Sequence, residues 1–282
     1  MNRIKTWYYK LSNRARDSLR LSLEFIGFIA TIMTILGWSL NNCINNAFIS
    51  LCLVIGVFLL LWRIIYTQLG HKYKDSVSIT IRKTPVSIIY GDIFETEGWK
   101  VIGCDTHFDT RVDDIVISKK SLHGQLVTKH GDTSEIKKVV EETARKKNLS
   151  ADTEGLYAFN LGTIIRYDSS KDGQTYLMLA MTELNDKYEA HTNMAKFEQM
   201  LIIMWHEIDR VHASHDIVLP LLGTGIARFD DGPKDNESLL KCMLCTLNVS
   251  GVTLNSSVKV VIYPSEKSDI QLYEYKSMFK FL

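Results

Sequence analysis

Apolar positions gather into two long stretches near the start of the chain, Leu21 to Leu40 and Ala47 to Tyr66, and then give way to short strand-like and helical patterns. Each stretch has about the length a helix needs to cross the ~30 Å hydrocarbon core of a bilayer. Glu24 and Arg63 lie toward the ends flanked by basic residues, within reach of headgroups, and Trp38 and Trp62 suit interfacial depth. The pattern predicts a transmembrane hairpin over 21–66, a basic segment over 1–20, a linker over 67–76 and a folded domain over 77–282.

Within that last segment β-branched runs alternate with amphipathic helices, which predicts an α/β domain with a mixed sheet flanked by helices. Strands are expected at Val77 to Ile81, Val86 to Tyr90, Val101 to Cys104, Gly155 to Arg166, Tyr176 to Thr182, Ile217 to Leu222 and Val258 to Tyr263. Most are uniformly apolar, as strands covered on both faces should be. Helices are expected at Ser134 to Lys147, Met194 to His212, Glu237 to Leu247 and Asp269 to Phe279. In the second of these Phe197, Leu201, Trp205 and Ile208 share one stripe, which reads as core. The third should be capped by Asp235 or Asn236.

Charge changes the picture at the start of the chain. The net formal charge is only +1, but Arg3, Lys5, Lys10, Arg14, Arg16 and Arg20 face Asp17 alone there. The segment between the apolar stretches, Asn41 to Asn46, carries no charge, so the positive-inside rule places both ends in the cytosol. A cleaved signal peptide fits poorly, because the basic leader is long and no small-residue cleavage site precedes the second apolar stretch. Gly27, Thr31 and Thr34 form a small-residue face in the first stretch, open to ordinary packing within the hairpin or to a contact between subunits.

Candidate chemistry concentrates where strands end. In Ile217 to Phe229 an apolar strand runs into Gly223-Thr224-Gly225-Ile226, followed by Arg228 and Phe229. Glycines there permit positive φ and close approach, so backbone N–H groups can converge on diphosphate oxygens, unless the segment is only a tight strand-to-helix turn. At Tyr90-Gly91-Asp92-Ile93 another strand ends in a carboxylate that can accept a hydrogen bond from an adenine amino group, or simply cap a turn. Cys242 and Cys245 form a lone CxxC inside a helix, and buried structural thiols explain it better than zinc; no metal is expected. The lysines and arginine of 137–147 are interleaved with Glu141 and Glu142, which describes a solvated helix face and not a nucleic-acid surface.

The pair of motifs, Gly91 to Ile93 and Leu219 to Phe229, resembles the macro domain, the ADP-ribose-binding α/β fold, over about residues 77–282. That resemblance implies that Asp92 and Ile93 contact adenine, that Gly223, Thr224, Gly225 and Ile226 hold the diphosphate, and that Phe229 meets the ribose beyond it, with Arg228 adding charge. The chain departs from hydrolytic members, which carry an Asn-rich strand and a glycine run where this one reads Ile102-Gly103-Cys104-Asp105-Thr106-His107. Asp105, Thr106 and His107 are expected to line the pocket, and the loop reads as recognition rather than catalysis.

With the apolar hairpin, the whole resembles the membrane-bound effector of Thoeris antiphage defence systems. That resemblance implies a two-pass protein of the cell inner membrane with no cofactor and no enzymatic turnover. Its ligand would be an ADP-ribose conjugate made from NAD by a TIR-domain partner. Membrane lipid and further copies of the chain would be its other partners, and self-association on ligand binding would disrupt the membrane. A membrane-anchored ADP-ribosyl hydrolase and a scaffold that binds no nucleotide are the competing readings.

Overall fold

The computed structural model describes residues 13–35, 47–71, 76–185, 190–225 and 228–266, together with 270, 272 and 275. Its internal contacts divide the chain into two units, Met1–Lys74 and Asp75–Leu282.

In the first unit, helix α1 (Asn13–Ile35) packs on helix α2 (Ala47–Gln68). Polar groups fasten one end of this pair. The Trp62 indole donates to Ser18 Oγ at 2.9 Å, and Arg14 Nε donates to the Tyr66 carbonyl at 2.8 Å while its guanidinium lies 4.0 Å from the Tyr66 ring centre. Glu24 is held by Arg20 at 2.8 Å, one helical turn away. Gly27, Thr31 and Thr34 are exposed, and both threonine hydroxyls turn back to carbonyls of their own helix at 2.8 Å. Packing within the hairpin therefore leaves this small-residue face uncovered among the described residues.

The membrane placement is corrected here. Among the described residues no helix is long and apolar enough to cross a membrane, so the two transmembrane spans and the inner-membrane location are not upheld. In α1 charged side chains continue to Glu24, so among the described residues the part of the helix beyond it is about 16 Å long at 1.5 Å per residue. In α2 the apolar run ends before Arg63, after about 24 Å, short of the ~30 Å core. Trp38 and Cys43 lie outside the described residues.

The second unit is the expected mixed sheet between helices. Its strands are β1 (Ser76–Ile81), β2 (Thr84–Tyr90), β3 (Trp99–Asp105), β4 (Ile164–Asp168), β5 (Thr175–Leu184), β6 (Ala190–Thr192), β7 (Ile217–Pro220), β8 (Arg228–Phe229) and β9 (Val258–Ile262). They run in the order β1-β2-β9-β7-β3-β5-β6-β8, with β4 also paired to β5. Strands β2, β9, β7, β3 and β5 are mutually parallel, whereas β1 and β4 pair antiparallel with their neighbours. The inner strands β3 and β7 are buried almost throughout, and edge strand β1 alternates exposed and buried positions, as one-sided cover requires.

After β3 comes a single turn, α3 (Leu122–Gln125), that passes into a short π-helical turn over Leu126–His130. The longer helices are α4 (Thr133–Lys146), α5 (Met194–Val211) and α6 (Asn236–Val249). Asp235 caps α6 by accepting the Ser238 N–H at 2.7 Å. On one face of the sheet α5 and α6 bury Phe197, Leu201, Trp205 and Met243 against Val101 and Leu219. On the other, α4 contributes Ile136, Val140 and Ala144 against Ile102, Met178 and Ala180.

One expected strand is much shorter than its pattern predicts. From Gly155 the chain turns, with positive φ at Gly155 and Gly162; Gly162 and Thr163 each share one backbone hydrogen bond with Ala180 of β5, and the strand register begins at Ile164. Gly162 explains the break: a Cβ there would stand 2.6 Å from Ile203 of α5, so the backbone itself packs on the helix. Most of the helix expected over 269–279 lies outside the described residues.

Candidate functional site

Parallel strands β3, β5 and β7 all end at one edge of the sheet, the edge at which open α/β sheets receive ligands. A cavity of about 630 Å³ opens there. Its floor is Gly103 to Asp105 of β3, Met181 and Thr182 of β5, and Pro220 of β7. The turn Leu221 to Gly225 and the loop Asp114 to His123 supply further walls.

The glycine turn is built by the end of β7. The Leu221 amide still pairs with the Val261 carbonyl at 3.2 Å, after which the chain leaves the sheet and Thr224 Oγ1 closes the turn on the Leu221 carbonyl at 3.1 Å. Gly223 has φ +89°, a left-handed conformation that favours glycine. A Cβ on Gly223 would sit 3.2 Å from Leu239 and 3.4 Å from Phe197, so the turn is pressed onto α5 and α6. Gly225 differs from expectation: it lies outside the left-handed region, and among the described residues a Cβ there would meet nothing within 4 Å. Among the described residues the amides of Gly223, Thr224 and Gly225 donate to no protein acceptor.

In the floor, Asp105 ends β3 and is 6% exposed. Its Oδ1 accepts the His107 amide at 2.7 Å and the Asp109 amide at 3.4 Å, which fixes the carboxyl group. Its Oδ2 is buried and has no hydrogen-bond partner; His123 Nδ1 lies 3.8 Å away, beyond bonding distance. Burial holds the His123 imidazole below the usual histidine range, against the opposing pull of Asp105 and Asp109. The Cys104 thiol beside them is pushed up by burial and then by Asp105, so it is no thiolate nucleophile.

Of the residues singled out by sequence, Asp105, Gly223, Thr224 and Gly225 line one cavity. Asp92 and Ile93 do not line it: Asp92 is exposed and its Oδ1 accepts the Phe94 amide at 2.9 Å, a turn-capping contact, while Ile93 is buried beneath. Thr106 is buried behind the wall, its amide bonded to the Thr182 carbonyl at 3.0 Å, and His107 faces Asp105 from outside the lining. Phe229 packs edge-on against Phe197 with ring centres 5.6 Å apart. Ile226 lies outside the described residues, and of Arg228 only the backbone, paired in β8 with His191, is described. His123 and the apolar tip Ile115 to Ile117 are wall residues that the sequence reading did not single out. Their loop crosses the strand ends only once the sheet order brings β3 beside β7. Among the described residues no cluster of potential metal ligands is present.

Comparison with known proteins agrees with this architecture. The Thoeris protein ThsA of Bacillus amyloliquefaciens (strain Y2) is 26% identical over 286 residues, covering 97% of this chain and 94% of the relative. Among solved structures, the Oceanobacillus iheyensis macrodomain with ADP aligns with a TM-score of 0.50 at 15% identity, covering 73% of this chain and 98% of that one. A single-residue mutant of the same macrodomain aligns with a TM-score of 0.51 at 14% identity, covering 73% and 95%. The second unit thus has a macro-domain fold. The family model described as Thoeris protein ThsA, Macro domain, matches residues 86–263, more than half of the 282-residue chain, and the chain belongs to that family.

Proposed function

We propose that this chain is a receptor and effector of antiphage defence whose macro domain binds an ADP-ribose-derived nucleotide made from NAD by a TIR-domain partner, without turning it over. The observation that carries this reading is the turn Gly223 to Gly225, whose unpartnered amides line a cavity at the carboxyl ends of parallel strands. Such amides suit diphosphate oxygens, because charge-assisted hydrogen bonds to preorganised N–H groups are the strong ones. A cavity of about 630 Å³ falls within the range of small-molecule sites. The likeness in fold to a macrodomain solved with ADP supports the same assignment. Asp92, at the end of β2, would then serve the adenine.

Ligand binding is coupled in this reading to self-association, with the uncovered face Gly27, Thr31 and Thr34 as the contact between copies. A ligand can drive assembly only by binding the assembled state more tightly than the free one, so affinity and size must change together. The test is calorimetric titration of the full chain with ADP, ADP-ribose and ribose 5-phosphate, followed by light scattering. ADP and ADP-ribose bind, ribose 5-phosphate binds at least tenfold more weakly, and the nucleotide is recovered intact. Absence of ADP binding by a folded chain refutes the assignment.

A further inference from the structure

Among the described residues three strands of the sheet, β1, β4 and β8, have a neighbour on one side only, and their free edges are built differently. Strand β8 is two residues long, and β4 presents the exposed charges Arg166 and Asp168, joined at 3.0 Å. A very short strand and charged side chains are the ordinary means by which an edge is kept from pairing with another chain. Strand β1 has neither. Its six residues, Ser76 to Ile81, include no charge and no proline, and its register with β2 runs without a bulge from Ser76 opposite Ile89 to Ile81 opposite Thr84.

The hairpin decides which backbone groups of β1 face outward. Ile81 and Thr84 are joined by a two-residue turn in which Arg82 and Lys83 have φ +45° and +68°, the primed geometry that closes on a hydrogen-bonded pair. Bonded and non-bonded pairs alternate from there. Ile81, Ile79 and Val77 therefore direct their N–H and C=O groups at β2, and Thr80, Ser78 and Ser76 direct theirs at the open edge. Pro85, which has no N–H, stands opposite Thr80, as a non-bonded pair permits. Among the described residues the outward groups of Ser76, Ser78 and Thr80 have no backbone partner. The side chains follow the same alternation: Val77, Ile79 and Ile81 are buried in the core, and Ser76, Ser78 and Thr80 are exposed.

We infer that the open edge of β1 pairs antiparallel with the β1 of a second copy of this chain, extending the sheet across a two-fold axis. The strand is its own complement. In an antiparallel pair directly opposed residues lie on the same face, so within the strand every register that satisfies the outward groups sets Ser or Thr against Ser or Thr, and Val or Ile against Val or Ile. No charge in the strand opposes the match. The contact is small, six residues from each copy against the roughly 20–30 of a standard interface, so it is weak alone and depends on concentration. It uses residues other than the helical face Gly27, Thr31 and Thr34, and it stands whether or not the macro domain binds a nucleotide.

Hydrogen exchange of the full chain, read by mass spectrometry on peptides covering β1, tests this at the amides themselves, because association through any other surface leaves them open. A pair with a dissociation constant of about 100 µM, in keeping with so small a contact, is mostly apart at about 10 µM and mostly formed at about 500 µM. The outward amides of Ser76, Ser78 and Thr80 therefore exchange about threefold or more slowly at the higher concentration. Ser78→Lys brings two lysines onto opposed or adjacent positions of the paired strands and abolishes the slowing, without lowering the thermal midpoint, since the side chain is exposed. Ser78→Thr retains the slowing, because it keeps the hydroxyl that lies 3.3 Å from Ser87 Oγ and adds a β-branched side chain. Fast exchange at both concentrations in wild type, which needs no variant, overturns the inference. So does slow exchange at both, which would place a segment of the same chain over the edge, and so does a concentration dependence that survives in Ser78→Lys.

Discussion

Replacement of the two glycines of the turn separates folding from recognition at one site. Gly223 has φ +89°, and a Cβ there would press on Leu239 at 3.2 Å and Phe197 at 3.4 Å. Gly223→Ala therefore combines backbone strain with a crowded contact, for a loss of about 1–3 kcal/mol. In a unit of this size that lowers the thermal midpoint by roughly 2–12 °C. Gly225 carries neither burden, since its φ lies outside the left-handed region and the space around its missing Cβ is open for 4 Å among the described residues. Gly225→Val should change stability by no more than about 0.5 kcal/mol. It nevertheless lines the cavity, so its branched side chain occupies the space through which a diphosphate reaches the turn. Loss of one or two charge-assisted amide contacts, at about 1.5–3 kcal/mol each, amounts to a drop in affinity on the order of 10- to 10⁴-fold. Urea denaturation of the free chain and calorimetric titration with ADP-ribose measure the two effects. If Gly225→Val retains wild-type affinity, the turn is not a diphosphate cradle. If it unfolds as readily as Gly223→Ala, the geometric distinction between the two positions is wrong.

Asp92→Ala should weaken an adenine nucleotide by about 1–3 kcal/mol and its hypoxanthine counterpart, which lacks the exocyclic amine, by less; equal losses would reduce Asp92 to the turn cap that its bond to the Phe94 amide displays. His123 gives a pH signature. Burial holds its folded-state pKa below the ordinary 6.5, so the unfolded chain takes up the proton first and stability declines as pH falls below about 6.5, toward the lower folded value. In His123→Asn the slope of unfolding free energy over pH 6.5–5 should be correspondingly flatter, and an unchanged slope would mean that the imidazole is not buried in the neutral form.

Sequence alone settled what depends on near neighbours. The two-residue and 3.6-residue periods located α4, α5 and α6 to within a few residues, because amphipathic side chains declare their faces locally. Asp235 was recognisable as a cap for the same reason. Gly-Thr-Gly after an apolar strand marked the turn that lines the cavity. Apolar length, by contrast, misled: the stretches at 21–40 and 47–66 read as membrane spans, but charges to Glu24 and from Arg63 shorten the apolar parts of the two helices, and their fastening through Arg14, Ser18 and Trp62 depends on residues some 44–52 positions apart. The strand expected from Gly155 failed because Gly162 answers to Ile203 across the fold, not to its own neighbours. The wall of the site was equally hidden. Nothing near Asp105 in sequence says that one carboxylate oxygen has no donor, or that His123 stops 3.8 Å short of it. Local periodicity and backbone freedom suffice to specify the elements and the glycine turn. Which strand ends share a cavity, and which polar atoms are left without partners, follow instead from long-range strand order and burial, which no short segment encodes.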